Sequence, residues 1–284
     1  MTSLPTIAVT GSTGNLGSMV ARNIADAGTA QRLLVRTPSK APSLPAAAVS
    51  PFSYTDREAT IAALEGVETV FMVSAPEGDE RLDQHRTFID AVRDAGVRHI
   101  VYTSFIDPSP ESTFTLGRDH GVTEQYIIDA GLNYTFIRDN FYLDFMKFLV
   151  GDDGVIRGPG GDGRISAVAR EDIARVIATV LQNPADHVNV HYDMTGPAAL
   201  SLTEIADIMS AHLGKTITYH DETIEEAYAS RASFGAPEWE VESWVSTYTA
   251  IASGALSGLS DAVEKITGRA PMSLAQVLKS AEKE

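Results

Sequence analysis

The 284-residue chain contains no cysteine. That removes disulfides, thiolate nucleophiles and thiolate metal sites at once, and it fits a reducing cytoplasm, the compartment expected for it. Positive charge is also scarce: 22 Lys and Arg stand against 38 Asp and Glu, a formal net charge of −16. A surface of that sign repels nucleic acid and anionic membranes, and no basic patch offsets it, so neither is expected as a partner. No apolar run approaches the ~20 residues that cross a bilayer, and no secretory signal is read ahead of Ile7. His187, His191, His212 and His220 lack a ligand spacing, so no metal is expected. There is no internal repeat and no low-complexity tail. What remains is a chain that is 44 % hydrophobic, able to bury a sizeable core in one large domain or two small ones.

The stretch Thr6-Ile-Ala-Val-Thr-Gly-Ser-Thr-Gly-Asn-Leu-Gly17 organises the rest. Ile7 to Val9 is apolar enough for a buried strand. Gly11, Gly14 and Gly17 follow at three-residue spacing, and Met19, Val20, Ile24 and Ala25 then recur at helical spacing up to a capping Gly28. A strand, a glycine-rich turn and a helix N-terminus together make an anion site: glycines let the backbone approach a diphosphate, and the helix end offers unpaired N–H groups. An ordinary tight turn carries the same glycines, but strand before and helix after favour a dinucleotide, with Gly11, Thr13, Gly14, Asn15, Leu16 and Gly17 as its contacts.

Strands are expected at 32–36, 48–56, 69–74, 99–104 and 132–138, with helices at 57–64, 81–95 and 118–130 between them. The segment 105–116, rich in Pro and Ser, reads as a functional loop. That alternation predicts an α/β fold, a doubly wound parallel (Rossmann) sheet over residues 1–150, completed by a helix near 170–182 and a strand near 188–194. Residues 151–284 are expected to form mostly a smaller C-terminal substrate lobe, with a capping box at Ser201 and Glu204 and an amphipathic helix through Trp244 and Ile251. Ligand then belongs at the strand ends: the glycine turn, Arg36, Tyr54 to Asp56, Ser74 to Pro76, Thr103 to Phe105, and Arg138 to Tyr142.

An NAD site usually carries an acidic residue after the second strand, on the ribose hydroxyls. Here Arg36 stands there, with Lys40 behind it. A guanidinium binds a 2′-phosphate that a carboxylate would repel, so the expected cofactor is NADP(H). The alternative is a pair of solvated loop charges. Asp56 is expected near the adenine edge, as the cap of the next helix, or both.

Thr10-Gly-Ser-Thr-Gly-Asn-Leu-Gly17, Leu34-Val-Arg36, Val101-Tyr-Thr-Ser104, Ile137-Arg-Asp-Asn-Phe-Tyr142 and Ala167-Val-Ala-Arg-Glu-Asp-Ile-Ala174 together resemble the NmrA-like group of atypical short-chain dehydrogenases/reductases. Within it the chain is most similar to NADPH-dependent quinone reductases and triphenylmethane reductases, weakly so past Gly214. The resemblance implies an NADP-binding Rossmann domain with a small C-terminal lobe. It implies cofactor contacts from Ser74, Ala75, Pro76, Thr103, Ser104 and Arg138, and a nicotinamide and acceptor pocket at Asn140, Phe141 and Tyr142. Asp139 stands where the quinone reductases often have Asn.

The wider superfamily works with Ser and Tyr-x-x-x-Lys, the Tyr giving a proton to a carbonyl and the Lys lowering its pKa. Ser104 is in place, but His120 holds the Tyr position and Glu124 the Lys position, on one helix face. Reduction of a ketone leaves an alkoxide, which needs a strong proton donor. A quinone or cationic dye yields a far less basic product and needs orientation more than acid. The change therefore selects electron-poor acceptors. His120, as a proton or hydrogen-bond donor, and Tyr142 are the catalytic candidates; the alternative for His120 is a partly exposed histidine bonded to Glu124 or backbone. Among Phe141, Phe145, Phe148, Trp239 and Trp244, one is expected to wall the pocket, since aromatics at helical spacing are more often core.

The leading expectation is an NADPH-dependent reductase passing hydride to a quinone or similar small-molecule acceptor. The runner-up, also implied by the resemblance, is a non-catalytic NADP(H)-binding redox sensor. An epimerase or dehydratase acting on a nucleotide sugar is opposed by the missing Tyr-Lys pair. A homodimer is compatible with the chain but not specified by it.

Overall fold

A computed structural model describes residues 4–281; residues 1–3, part of the segment ahead of Ile7 in which no secretory signal is expected, lie outside them. The central sheet is built from β1 (Ile7–Val9), β2 (Gln31–Val35), β3 (Ala47–Pro51), β4 (Thr69–Met72), β5 (His99–Phe105) and β6 (Asn133–Asp139). Two short strands, β7 (Val155–Gly158) and β8 (Arg164–Ile165), lie outside it, and β9 (Val190–Met194) completes it in the order β3-β2-β1-β4-β5-β6-β9. The pairings from β3 through β5 are parallel. Their strands are apolar on both faces because helices cover both sides, which is why Val70, Phe71 and Met72 are fully buried in succession. The order reverses between β1 and β4. In a doubly wound sheet that reversal opens a crevice at the carboxyl ends of the strands.

The crossovers are α1 (Asn15–Asp26), α2 (Arg57–Ala63), α3 (Arg81–Asp94) and α4 (Thr115–Asp129), with α5 (Arg170–Gln182) leading to β9. Helix α1 buries Leu16, Val20, Ala21, Ile24 and Ala25; of the expected stripe Val20, Ile24 and Ala25 are sealed, while Met19 lies at its edge and is only half-buried. Asp56 caps α2 by accepting from the Ala59 N–H at 3.0 Å.

The chain divides into two compact units. The first comprises the residues up to Phe105 with Asp119–Arg138 and Glu171–Tyr192. The second comprises Ile106–Arg118, Asp139–Arg170 and everything from Asp193 on. The chain thus leaves the sheet unit at Arg138, short of the boundary drawn at residue 150, and the loop after β5 belongs with the second unit. There Phe114 meets Phe141 edge-on at 5.1 Å, and the Thr115 N–H donates to Ser246 Oγ at 3.2 Å.

The second unit holds β7, β8, β10 (Leu200–Ser201), β11 (Thr218–Asp221) and the helices α6 (Leu202–Leu213), α7 (Ile224–Arg231), α8 (Glu238–Ala252), α9 (Ala262–Thr267) and α10 (Leu274–Ala281). The capping box forms: Ser201 Oγ accepts from the Glu204 N–H at 3.1 Å, and Glu204 accepts from the Ser201 N–H at 2.9 Å. No helix among the described residues is long and apolar enough to cross a membrane.

Candidate functional site

In the first unit, β1 runs into the glycine turn and the turn into α1. Gly11 has φ +66°, and a side chain there would also meet Val73 Cγ2 at 2.8 Å, so only glycine fits. A Cβ on Gly17 would lie 2.3 Å from the Gly11 carbonyl oxygen, so Gly17 lets the helix pack against its own turn. Gly14 differs from both. Its φ of −101° suits any residue, and an added Cβ would come no nearer to protein than 3.4 Å. Packing does not require glycine here; the bare backbone keeps the helix end open. Gly14 is the N-cap, no side chain caps the helix, and Thr13, Gly14 and Asn15 are exposed, so no side chain satisfies the N–H groups at the start of α1. Leu16 buries its side chain and has only its backbone to offer. Ser12 Oγ lies buried in the same turn without a partner.

The strand ends beside the turn are tied to it. Thr10 Oγ1 accepts from the Val73 N–H at 2.9 Å, and the buried Tyr54 hydroxyl donates to the Val73 carbonyl. Arg36 and Lys40 follow β2, exposed, and among the described residues neither meets a carboxylate. In a chain of net charge −16 two cations without a carboxylate partner are unusual.

Ser74, Ala75 and Pro76 leave the end of β4. The Ala75 N–H donates to His85 Nε2 at 2.8 Å, which puts the imidazole proton on Nδ1, facing Thr123 Oγ1 at 2.8 Å. Burial, with Arg81 nearby, pushes His85 down to about 3, so it is neutral at physiological pH. His120 is 6 % exposed. Its Nε2 accepts from Arg81 at 3.1 Å, and its Nδ1 meets the Tyr102 hydroxyl at 2.9 Å. Burial first and Arg81 second hold its pKa well below the ordinary value. Both ring nitrogens are engaged, and the partners are Arg81 and Tyr102 rather than the expected Glu124. Arg81 and His85 escaped the sequence reading because on α3 they look like members of its charged face.

Glu124, at the superfamily's Lys position, lies in a different cluster. Arg138 grips it with Nε at 2.9 Å and Nη2 at 2.6 Å, and Ser104 Oγ donates to it at 2.6 Å. The one hydroxyl proton of Ser104 therefore goes to a carboxylate, leaving lone pairs but no donor for anything else. Thr103 Oγ1, one residue before, is buried without a partner.

Asn140, Phe141 and Tyr142 belong to the second unit. Asn140 is 1 % exposed and works as a bolt: Nδ2 donates to Ser166 Oγ at 3.1 Å and to the Leu256 carbonyl at 3.0 Å, and Oδ1 accepts from the Phe141 N–H at 2.8 Å. The half-buried Tyr142 donates to Asp139 Oδ2 at 2.7 Å, and the Arg170 guanidinium lies over its ring at 4.8 Å. Phe141, Phe145, Phe148 and Trp244 line an apolar cavity of about 790 Å³, joined by Phe234 and Tyr248. Trp239 is not among its walls. Phe148 and Phe234, 66 % and 71 % exposed, stand open to solvent. The buried Arg231 pairs with Glu222 at 2.9 Å and sits 5.1 Å from the Tyr248 ring centre, so it braces the wall without adding net charge. Phe234 ends a 3₁₀ turn, Ala232–Phe234, too short for any periodicity to have marked it.

Similar proteins are known. The sequence pattern of the NmrA-like family matches residues 4–249. The NAD(P)H azoreductase of Xenophilus azovorans is 32 % identical over 279 residues, covering 96 % of this chain and 97 % of that protein. The structure of an NADPH-dependent quinone oxidoreductase from Escherichia coli complexed with NADPH matches at a TM-score of 0.89 and 30 % identity, over 97 % of this chain and 99 % of the other. The Citrobacter sp. triphenylmethane reductase complexed with NADP(H) matches at 0.85 and 31 % identity, over the same two shares, 97 % and 99 %.

Proposed function

Because the chain belongs to the NmrA-like family, we propose that it is an NADPH-dependent reductase that passes hydride to a quinone or similar conjugated acceptor. The observation that carries this is the open helix end at Gly14 beside the unpaired Arg36 and Lys40. The residues fit the cofactor. Gly14 leaves room for a diphosphate where packing asks for no glycine, Ser12 and Thr103 hold buried hydroxyls without partners, and Arg36 and Lys40 supply charge for a 2′-phosphate. Bound there, NADPH supplies the hydride.

The chain's own residues supply the rest. Ser104, Glu124 and Arg138 form a charge-compensated brace that orients the end of β5. His85 and His120 act, in this reading, as supports: His85 holds the Ala75 amide, and His120 buttresses Arg81 and Tyr102. With the Tyr and Lys positions of the superfamily taken up in this way, acceptors that leave a weakly basic product are favoured over simple ketones. The aromatic cavity of the second unit suits a flat conjugated acceptor. Its presence, and relatives named as azo and quinone reductases at 30 % identity or more, favour the reductase over a sensor.

The test is NADPH oxidation by the purified protein with a panel of quinones, against no-enzyme controls and with NADH in parallel. Saturable turnover that prefers NADPH is the expected result. Tight NADPH binding with no turnover of any quinone or dye would favour the sensor instead.

A further inference from the structure

The buried carboxyl of Asp139 has no role in the site as described so far. It is 2 % exposed, its Oδ1 has no hydrogen-bond partner, and its Oδ2 meets only the Tyr142 hydroxyl. Among the described residues no cation pairs with it. Arg138, next in the strand, points to the opposite face by strand alternation and grips Glu124. The other charged groups around the pair face Tyr142: Arg170 lies over its ring, and Asp144 accepts from the Arg170 backbone N–H at 3.0 Å. An ionised carboxylate with one orphaned oxygen and no counter-charge is expensive to bury, whereas a neutral acid leaves only a carbonyl oxygen unpaired. Burial accordingly drives Asp139 well above the ordinary carboxylate range, only partly opposed by the Tyr142 hydrogen bond.

Building on the reductase reading, we propose that Asp139 and Tyr142 form a one-proton relay for the reduced acceptor, with Asp139 protonated on Oδ2 and donating a hydrogen bond to the Tyr142 oxygen. That reverses the hydrogen bond between them and leaves the phenolic hydrogen free to donate away from Asp139. Tyr142 is half-buried where Asp139 is sealed, so the outward proton sits on the reachable member of the pair. When a quinone accepts a hydride from the reduced nicotinamide, it gains two electrons and one proton and becomes a hydroquinone monoanion. The Tyr142 O–H bond breaks and its proton goes to that oxyanion. The Asp139 Oδ2–H bond breaks in turn and restores the phenol. Asp139 is left as a carboxylate and regains its proton through the Tyr142 hydroxyl, which in turn takes one from water. A hydroquinone anion is a weak base, so a phenol backed by a carboxylic acid is a sufficient donor. A triarylmethyl cation becomes neutral on accepting hydride and needs no proton at all.

Two measurements test this. The first needs no cofactor: thermal unfolding of wild type and Asp139→Asn from pH 4 to pH 8. A raised native pKa means the folded state holds a proton that the unfolded chain releases above ~3.9, so wild type loses stability with rising pH and the amide variant does not. The melting-temperature difference should move in favour of the variant by about 2 °C or more between those limits. A constant difference, or one moving the other way, would overturn the proposal. Should Asp139→Asn fail to fold, infrared spectra of wild type and Tyr142→Phe at neutral pH replace it: a protonated-carboxyl band that shifts in the variant is expected, and no such band overturns the idea. The second compares acceptors. Tyr142→Phe should lower the ratio of quinone to dye turnover at least ~10-fold; an unchanged ratio removes Tyr142 as donor. If wild type turns over neither acceptor, the donor role falls with the reductase reading, while the pH-dependent stability gap still reports separately whether Asp139 is protonated.

Discussion

The first unit makes its candidate site from backbone, the second from side chains. In the glycine turn the useful groups are N–H donors at the end of α1, and the side chains that matter are the ones missing at positions 11, 14 and 17. The second unit offers side chains instead: its cavity is lined by aromatic rings among aliphatic residues and braced by the buried Arg231–Glu222 pair. The polar clusters differ in the same way. Glu124 is answered by Arg138 and Ser104, and His85 and His120 are held neutral, whereas Asp139 is left with a single partner. A backbone site is rigid and specific for charge. A side-chain site is set by shape, and its residues can be exchanged one at a time.

The contrast is sharpest among the glycines. Gly17→Ala should cost about 3 kcal/mol of stability, because its Cβ would fall on a carbonyl of the same turn; chemical denaturation measures it. Gly14→Ala should stay within about 0.5 kcal/mol of wild type yet bind NADPH at least ~10-fold more weakly by titration. If both alanines behave alike, the first unit does not reserve Gly14 for a ligand. Arg36→Ala is expected to weaken NADPH by ~10- to 100-fold and NADH hardly at all. Equal losses would remove Arg36 from the 2′-phosphate.

Smaller effects separate support from contact. His85 stays neutral in the fold down to about 3, while the unfolded chain takes up that proton near ~6.5. Its depressed native pKa therefore makes stability fall as pH drops below ~6.5. His85→Gln, which can still accept from Ala75, should remove on the order of 1–2 kcal/mol of the loss between pH 7 and pH 5. A parallel pair of stability curves would mean His85 is not held neutral. In the second unit, Phe234→Ala should raise the acceptor KM several-fold with melting temperature and NADPH affinity unchanged, since the ring is 71 % exposed. An unaltered KM would move the acceptor away from this cavity.

Much of the first unit was legible in the chain because its determinants are local. Strand, glycine turn and helix follow one another within twenty residues, and the Ser201–Glu204 capping box closes over three. The parallel, doubly wound sheet followed from alternation and handedness, but its strand order did not. The clusters were not legible. His120 and Glu124 share a helix face at the spacing of a catalytic pair, yet one turns to Arg81 on α3 and the other to Arg138 on β6. Spacing cannot reveal which neighbour a side chain will meet. The cavity was partly visible as aromatics, but Phe234 carries no periodic signal, and Trp239, in a helix that does, is not part of the wall.

By itself, then, the sequence determined the parallel sheet, the glycine turn and the cation after β2, since each rests on backbone geometry or charge confined to a short segment. Only the tertiary structure decided that His120 is sealed, that Asn140 is a bolt, and that the Asp139 carboxyl meets Tyr142 alone among the described residues. The physical reason is burial. Desolvation and hydrogen-bond choice depend on groups brought together from distant parts of the chain, and those set the protonation states on which the chemistry rests.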